Sequence, residues 1–149
     1  MQTADERIAA AMAAVRAAGG RSTTARGAVL RVLAGAGHHL SAAEIHAELT
    51  AGGGPLDLST VHRVLAALTR LDVVHAVPVG GSLTFGMADR AHHHTVCRTC
   101  GTVRQLSPQA VAAAIGAATA DGLFTTDADG RDVGVVVYGR CATCPERQS

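Results

Sequence analysis

The sequence has no tryptophan, one tyrosine and two phenylalanines, so aromatics are 2% of its 149 residues although hydrophobic types reach 48%. Any core must therefore be built from alanine, valine and leucine, and a core without large anchors gains from a metal staple or a second subunit. Lysine is absent too: all 13 basic residues are arginine, and against 12 acidic ones they leave a formal charge of +1. That balance excludes a basic tail as the means of holding an acidic partner. No apolar run approaches the roughly 20 residues that span a bilayer. The N-terminal stretch carries Asp5 and Glu6 ahead of its apolar residues, against the pattern of a signal peptide. The expectation is a cytoplasmic chain with no membrane partner, long enough for two small domains.

Cysteine is scarce but ordered, as two Cys-x-x-Cys pairs, Cys97/Cys100 and Cys141/Cys144, with no other thiol in the chain. Two sulfurs three residues apart reach one ion from a single tight turn, so two such knuckles suit one tetrahedral, all-thiolate Zn2+ site. The same pair serves thiol oxidoreductases, where it opens a helix after a strand. Here Gly101 follows Cys100 and the flanks read as strand, which favours structural zinc, with a disulfide or reactive thiol pair as the enzymatic alternative. If one site takes all four cysteines, the run His92, His93, His94 is left for a second metal.

Residues Ala4 to Ala18 place Ile8, Ala11, Met12 and Val15 at helical spacing before Gly19 and Gly20. A second helix runs from Ala25 to Ala34 behind the cap cluster Ser22, Thr23, Thr24; a third opens on the capping box Ser41 to Glu44; a fourth starts near Ser59 and ends at Leu71. The last three, joined by short glycine-rich turns, resemble a helix-turn-helix core. Strand-like runs Val73 to Val79 and Leu83 to Met87 around Gly80-Gly81 add a hairpin, completing a winged helix. Beyond it come a strand over Thr102 to Leu106, a helix over Pro108 to Ala120 capped by Ser107, a turn at Asp127 to Gly130 and a valine-rich strand from Val133 to Tyr138. The predicted class is α+β: a winged helix-turn-helix domain over residues 1–82 and a small α/β dimerisation domain over 83–149 that carries the four-cysteine zinc site.

Five segments together resemble the ferric-uptake-regulator (Fur) family: Thr23-Thr24-Ala25-Arg26, His38 to Ile45, Ser59 to Leu65, His92 to Val103, and Gly139 to Cys144. The resemblance implies a homodimeric, metal-dependent repressor whose winged helix reads an inverted-repeat operator in double-stranded DNA. On the fourth helix the exposed set is Ser59, Thr60, His62, Arg63 and Arg70, and a recognition helix offers its early exposed residues to base edges while arginines anchor phosphates. The resemblance puts His62 where the family usually has a base-contacting tyrosine, Arg63 after it, Arg21 at a minor-groove position and Arg26 at a backbone contact.

The resemblance also implies a regulatory metal. His92 and His94 match the family's alternating ligand pair, His75 an aspartate ligand of the zinc-sensing branch, and His39 a histidine ligand of the iron, peroxide and nickel branches. Met87 and Asp89 are the nearest candidates for a remaining ligand, while Gly86 and Gln105 replace carboxylates of the iron branch. Imidazoles without a thiolate or a carboxylate pair suit zinc, nickel or cobalt better than ferrous iron. The expectation is a zinc-sensing regulator of metal uptake genes, with Zn2+ as both structural and regulatory ion. The alternatives are a nickel- or iron-sensing member, a thiol oxidoreductase, or a metal buffer that does not bind specific DNA.

Overall fold

Local chemistry sets the helix boundaries. A computed structural model of the chain describes residues 2–89, 93–126 and 134–145. Helix α1, Ala4–Ala17, starts at a capping box in which the Thr3 side chain accepts the Glu6 amide and Glu6 accepts the Thr3 amide. Helix α2, Thr24–Ala36, is capped by the Thr23 hydroxyl and stops at Gly37 in the left-handed region. A two-residue strand, β1 (Leu40–Ser41), leads into α3, Ala42–Ala51, through the Ser41/Glu44 capping box. Helix α4, Leu58–Arg70, begins one residue before the expected Ser59 because Asp57 caps it.

The wing is β2, Val74–Val79, and β3, Ser82–Met87, paired along their full length through Gly80 and Gly81, whose φ angles are +54° and +83°. Two positive φ values in a two-residue loop match the twist of the flanking strands, and only glycine adopts both without cost. β1 adds to the other edge of β3, pairing Leu40 with Phe85, so the sheet order is β1-β3-β2. Val15, Val29, Leu30, Ile45, Val61, Leu65 and Leu68 are shut off from solvent and form one core with Phe85 and Met87 of the wing. Apart from Phe85 and the thioether of Met87 it is an aliphatic core, as the shortage of aromatics requires.

The chain divides into two compact units, Met1–Asp89 and Arg90–Ser149. The expected boundary after residue 82 would have cut the wing at its turn. Each backbone step of β3 from Ser82 to Met87 is matched to a residue of β2, so the hairpin stays whole in the first unit.

In the second unit β4, His93–Cys97, is central, flanked by antiparallel β5, Val103–Leu106, and parallel β6, Val136–Gly139. A parallel neighbour needs a long connection, and α5, Pro108–Thr119, lies within it, with Ser107 accepting the Ala110 amide and Pro108 in the first turn. The expected turn at Asp127 to Gly130 and the start of the strand expected at Val133 fall outside the described residues. Among the described residues of this unit only Val96, Cys97 and Val111 are buried apolar side chains. No helix among the described residues is long and apolar enough to cross a membrane.

Candidate metal centre

The strand pairing that builds the second sheet also gathers its thiols. β4 ends at Cys97 and turns back at once: the Cys97 amide donates to the Thr102 carbonyl (2.9 Å) and the Gly101 amide to the Cys97 carbonyl (2.9 Å). Gly101, at φ +75°, takes the left-handed step that the turn needs. On the other side β6 runs beside β4 and delivers the second knuckle, closed by the Cys144 amide on the Cys141 carbonyl (3.1 Å). The Arg98 amide donates to the Gly139 carbonyl (2.8 Å), tying the two knuckles together.

The four sulfurs of Cys97, Cys100, Cys141 and Cys144 all lie within 4.8 Å of one another. Zn–S bonds of about 2.3 Å at tetrahedral angles place sulfurs about 3.8 Å apart. Cys97 to Cys144 is 3.8 Å and Cys100 to Cys141 is 3.7 Å, while Cys141 and Cys144 sit closer, at 3.0 Å. The donor set and its spacing fit Zn2+. The electrostatics are arranged for thiolates as well: the Cys100 and Cys141 amides pull the Cys97 thiol down to about 5, and the Cys141 amide donates to its sulfur at 3.3 Å. The Cys144 thiol holds Cys141 low, and Cys144 is in turn pushed up by Cys141 and Cys100, as expected for thiols that share protons.

In the first unit His39, just before β1, and His75, on β2, meet ring to ring. Their Nε2 atoms are 2.6 Å apart and the rings are near perpendicular at 73°, with centroids 4.7 Å apart. One ring donates its Nε2 hydrogen to the other's lone pair, and that lone pair is what a borderline divalent ion takes. Two imidazole nitrogens brought together in this way suit Zn2+, Ni2+ or Co2+.

The other regulatory candidates have different surroundings. Met87 is 4% exposed and packs in the apolar core of the first unit, so its thioether is committed to packing. Asp89 is held by Arg7 through both carboxylate oxygens, and Arg7 also donates to the Ala34 carbonyl. Residue type alone did not show that one is buried in the core and the other ion-paired. His94 is buried on β4, and strand alternation sets it on the opposite face of the sheet from Cys97. His93 is tied into the sheet, its Nδ1 accepting the Val135 amide (3.2 Å), and His38 donates to the Ala36 carbonyl at the end of α2 (2.6 Å). His92 lies outside the described residues.

Helix α4 turns Val61, Val64, Leu65 and Leu68 into the core, which leaves Ser59, His62, Arg63 and Arg70 exposed and Thr60 half-buried. Asp57 organises its first turn, accepting the Thr60 amide (2.6 Å) and the Ser59 hydroxyl (2.7 Å). The Thr60 hydroxyl accepts from the Arg63 guanidinium (2.9 Å), which holds that cation over the start of the helix. Sequence reasoning missed Asp57, although an aspartate three residues ahead of Thr60 is a recognisable cap signal. Arg26 donates to the Arg21 carbonyl (2.6 Å) and so closes the loop between α1 and α2, while Arg21 is exposed.

The Ser59 hydroxyl and the Thr60 amide lower the Asp57 carboxyl from 3.8 to about 2. A carboxyl depressed in the folded state stabilises at pH above its unfolded value and loses that effect as pH falls through its folded value. The unfolding midpoints of the protein and of Asp57→Asn are therefore expected to differ by a constant amount down to about 4 and to converge toward about 2. Chemical denaturation of both across that range checks it.

The ferric uptake regulator family model matches residues 17–126. The zinc uptake regulation protein of Mycobacterium tuberculosis is 32% identical over 132 residues, covering 86% of this chain and 97% of that protein. The ferric uptake regulation protein of Shigella flexneri is 32% identical over 134 residues, covering 87% and 86%. A solved structure of the ferric uptake regulator from Pseudomonas aeruginosa with manganese superposes with a TM-score of 0.72 at 27% identity, covering 86% of this chain and 95% of that one. A helical wing domain, a sheet domain with a four-thiol cluster and this extent of similarity converge: the chain belongs to the ferric uptake regulator family of metal-responsive, DNA-binding transcription regulators and is not an enzyme.

Proposed function

We propose that the protein is a zinc-sensing repressor of metal uptake genes, acting in the cytoplasm as a homodimer on an inverted-repeat operator. The observation that carries this reading is the His39–His75 pair: two imidazole nitrogens 2.6 Å apart. Such a donor set ranks zinc and nickel above iron and manganese. His92 and His94 of the second unit supply the rest of the sensing ligands in this reading, and the four cysteines hold a zinc that takes no part in sensing. A Zn2+ held by these side chains would supply fixed bonds that tie them together.

The chain's own residues then do the work at DNA. The early turns of α4 present His62 and Arg63 to base edges or phosphates, with Ser59, Thr60, Arg21 and Arg26 supporting register on the duplex. Metal and DNA are coupled because the ion binds the DNA-competent conformation better, and a coupling of this kind changes DNA affinity roughly 5- to 150-fold.

The test is a selection from random-sequence duplex DNA in the presence of Zn2+. Binding of the selected sequence is then measured with the sensing site empty and with Zn2+, Ni2+ or Mn2+ added. Zinc is expected to restore affinity at the lowest free concentration. Preferential restoration by nickel would make the protein a nickel sensor, and tight metal binding with no selected sequence would make it a metal buffer.

A further inference from the structure

The sensing pair is assembled across three strands, and the middle strand carries the residue that lets it form. On β2 and β3, His75 is directly opposite Gly86. On β1 and β3, Leu40 is opposite Phe85, and His39 directly precedes β1 with its ring against Gly86. The two rings lean inward over the glycine and meet above it.

The space they use is the space a side chain at 86 would fill. A methyl built on Gly86 would lie 2.6 Å from His39 Nε2, 2.9 Å from its Cδ2 and 3.0 Å from its Cε1, closer than real contacts allow. Gly86 is not among the glycines with positive φ, so its backbone does not ask for glycine. The requirement is steric, and the three nearest atoms that impose it all belong to the His39 ring.

We propose that Gly86 is a positioning residue of the sensing site: by carrying no side chain it lets the His39 ring reach His75, and so determines that two nitrogens face the ion. This rests on the reading of His39 and His75 as sensing ligands. Any side chain at 86 moves His39 aside and leaves His75 without that neighbour, which weakens binding without removing a ligand.

The experiment compares the full-length protein with Gly86→Ala, His39→Ala, His75→Ala and the double variant Gly86→Ala/His39→Ala, all with the four-cysteine site loaded with zinc. Co2+ is the probe at the sensing site, because its visible spectrum reports coordination number as well as affinity. Gly86→Ala is expected to weaken Co2+ binding about 10- to 100-fold, the range typical of residues that orient a ligand. In the metal-free sensing site it is also expected to abolish the NMR contact between the His39 and His75 ring protons. In the double variant the alanine at 86 is expected to add no further loss, because the ring it displaces is gone.

Wild-type affinity in Gly86→Ala, beside a loss in His39→Ala, would overturn the inference and leave the proposed function standing. A penalty at 86 that persists without the His39 ring would overturn it as well. Unchanged affinity in both His39→Ala and His75→Ala would instead remove the proposed function itself. If Gly86→Ala does not fold, folding of the double variant supports the inference, and failure of both contradicts it.

Discussion

Cys97→Ser is expected to empty the four-thiolate site and to unfold the second unit while leaving the first intact. The second unit has few other means of cohesion: among its described residues only Val96, Cys97 and Val111 are buried and apolar. Cys97 is at once one of the four clustered thiols, a buried residue of the central strand and the acceptor of the Cys141 amide, so its loss is expected to separate the two knuckles. Structural zinc contributes about 10–16 kcal/mol in small domains whose ligands are disordered without it, more than such a core can replace. The first unit has its own apolar core, from Val15 on α1 to Met87 on β3, to hold it together. Amide hydrogen exchange is expected to show lost protection over β4, β5 and β6 with protection retained in α2 and α4, beside a zinc content near zero in the four-cysteine site. A fully protected second sheet without zinc would mean that packing alone holds it.

Arg63→Ala carries the second large effect, on DNA. Arg63 is exposed on α4 and its guanidinium is restrained by the Thr60 hydroxyl, so little ordering is left to be done when it meets a duplex. Losing such an arginine costs about 1–3 kcal/mol when it reads a base, roughly 5- to 150-fold in affinity, with relaxed preference at that position. If it holds a phosphate instead, all sequences weaken together and the dependence on log salt loses about one unit of slope. Metal content at both sites is expected to stay unchanged, since Arg63 lies on the solvent side of α4. Binding isotherms at several salt concentrations, on the selected duplex and on single-base variants of it, separate the two cases. Unchanged DNA affinity in Arg63→Ala would remove α4 as the reading helix.

The parts of the fold legible in the sequence are those written in local chemistry. Ser41 with Glu44, Ser107 ahead of Pro108, and Gly80-Gly81 between two alternating runs each specify a boundary through hydrogen bonds or φ angles within a few residues. The four cysteines were legible for the same reason, because a tight turn sets how two sulfurs three residues apart can be presented. The strand Leu40–Ser41 was not, since two residues carry no periodicity and it exists only because β3 offers it an edge. The unit boundary was misplaced for a similar reason: the pairing of Ser82–Met87 with β2 belongs to the hairpin as a whole, beyond any local composition shift.

Among the candidate regulatory ligands the sequence marked residue types, and the structure shows what surrounds each. His39 and His75 are 36 residues apart in the chain and meet only because the sheet order is β1-β3-β2. Met87 and Asp89 had suitable donor atoms, but packing engages the first and Arg7 the second, and neither commitment leaves a trace in spacing. Gly86 read as a missing carboxylate, whereas in the sheet it is the space that a ring occupies.

Metal per chain and affinity for the selected duplex, measured on the same sample before and after mild chelation, probe the coupling of metal to DNA. About one zinc per chain is expected to survive chelation while a second metal leaves, with DNA binding falling as the second leaves and returning when it is restored. Loss of every metal with DNA affinity intact, or DNA affinity lost while the removable site stays full, would contradict that coupling.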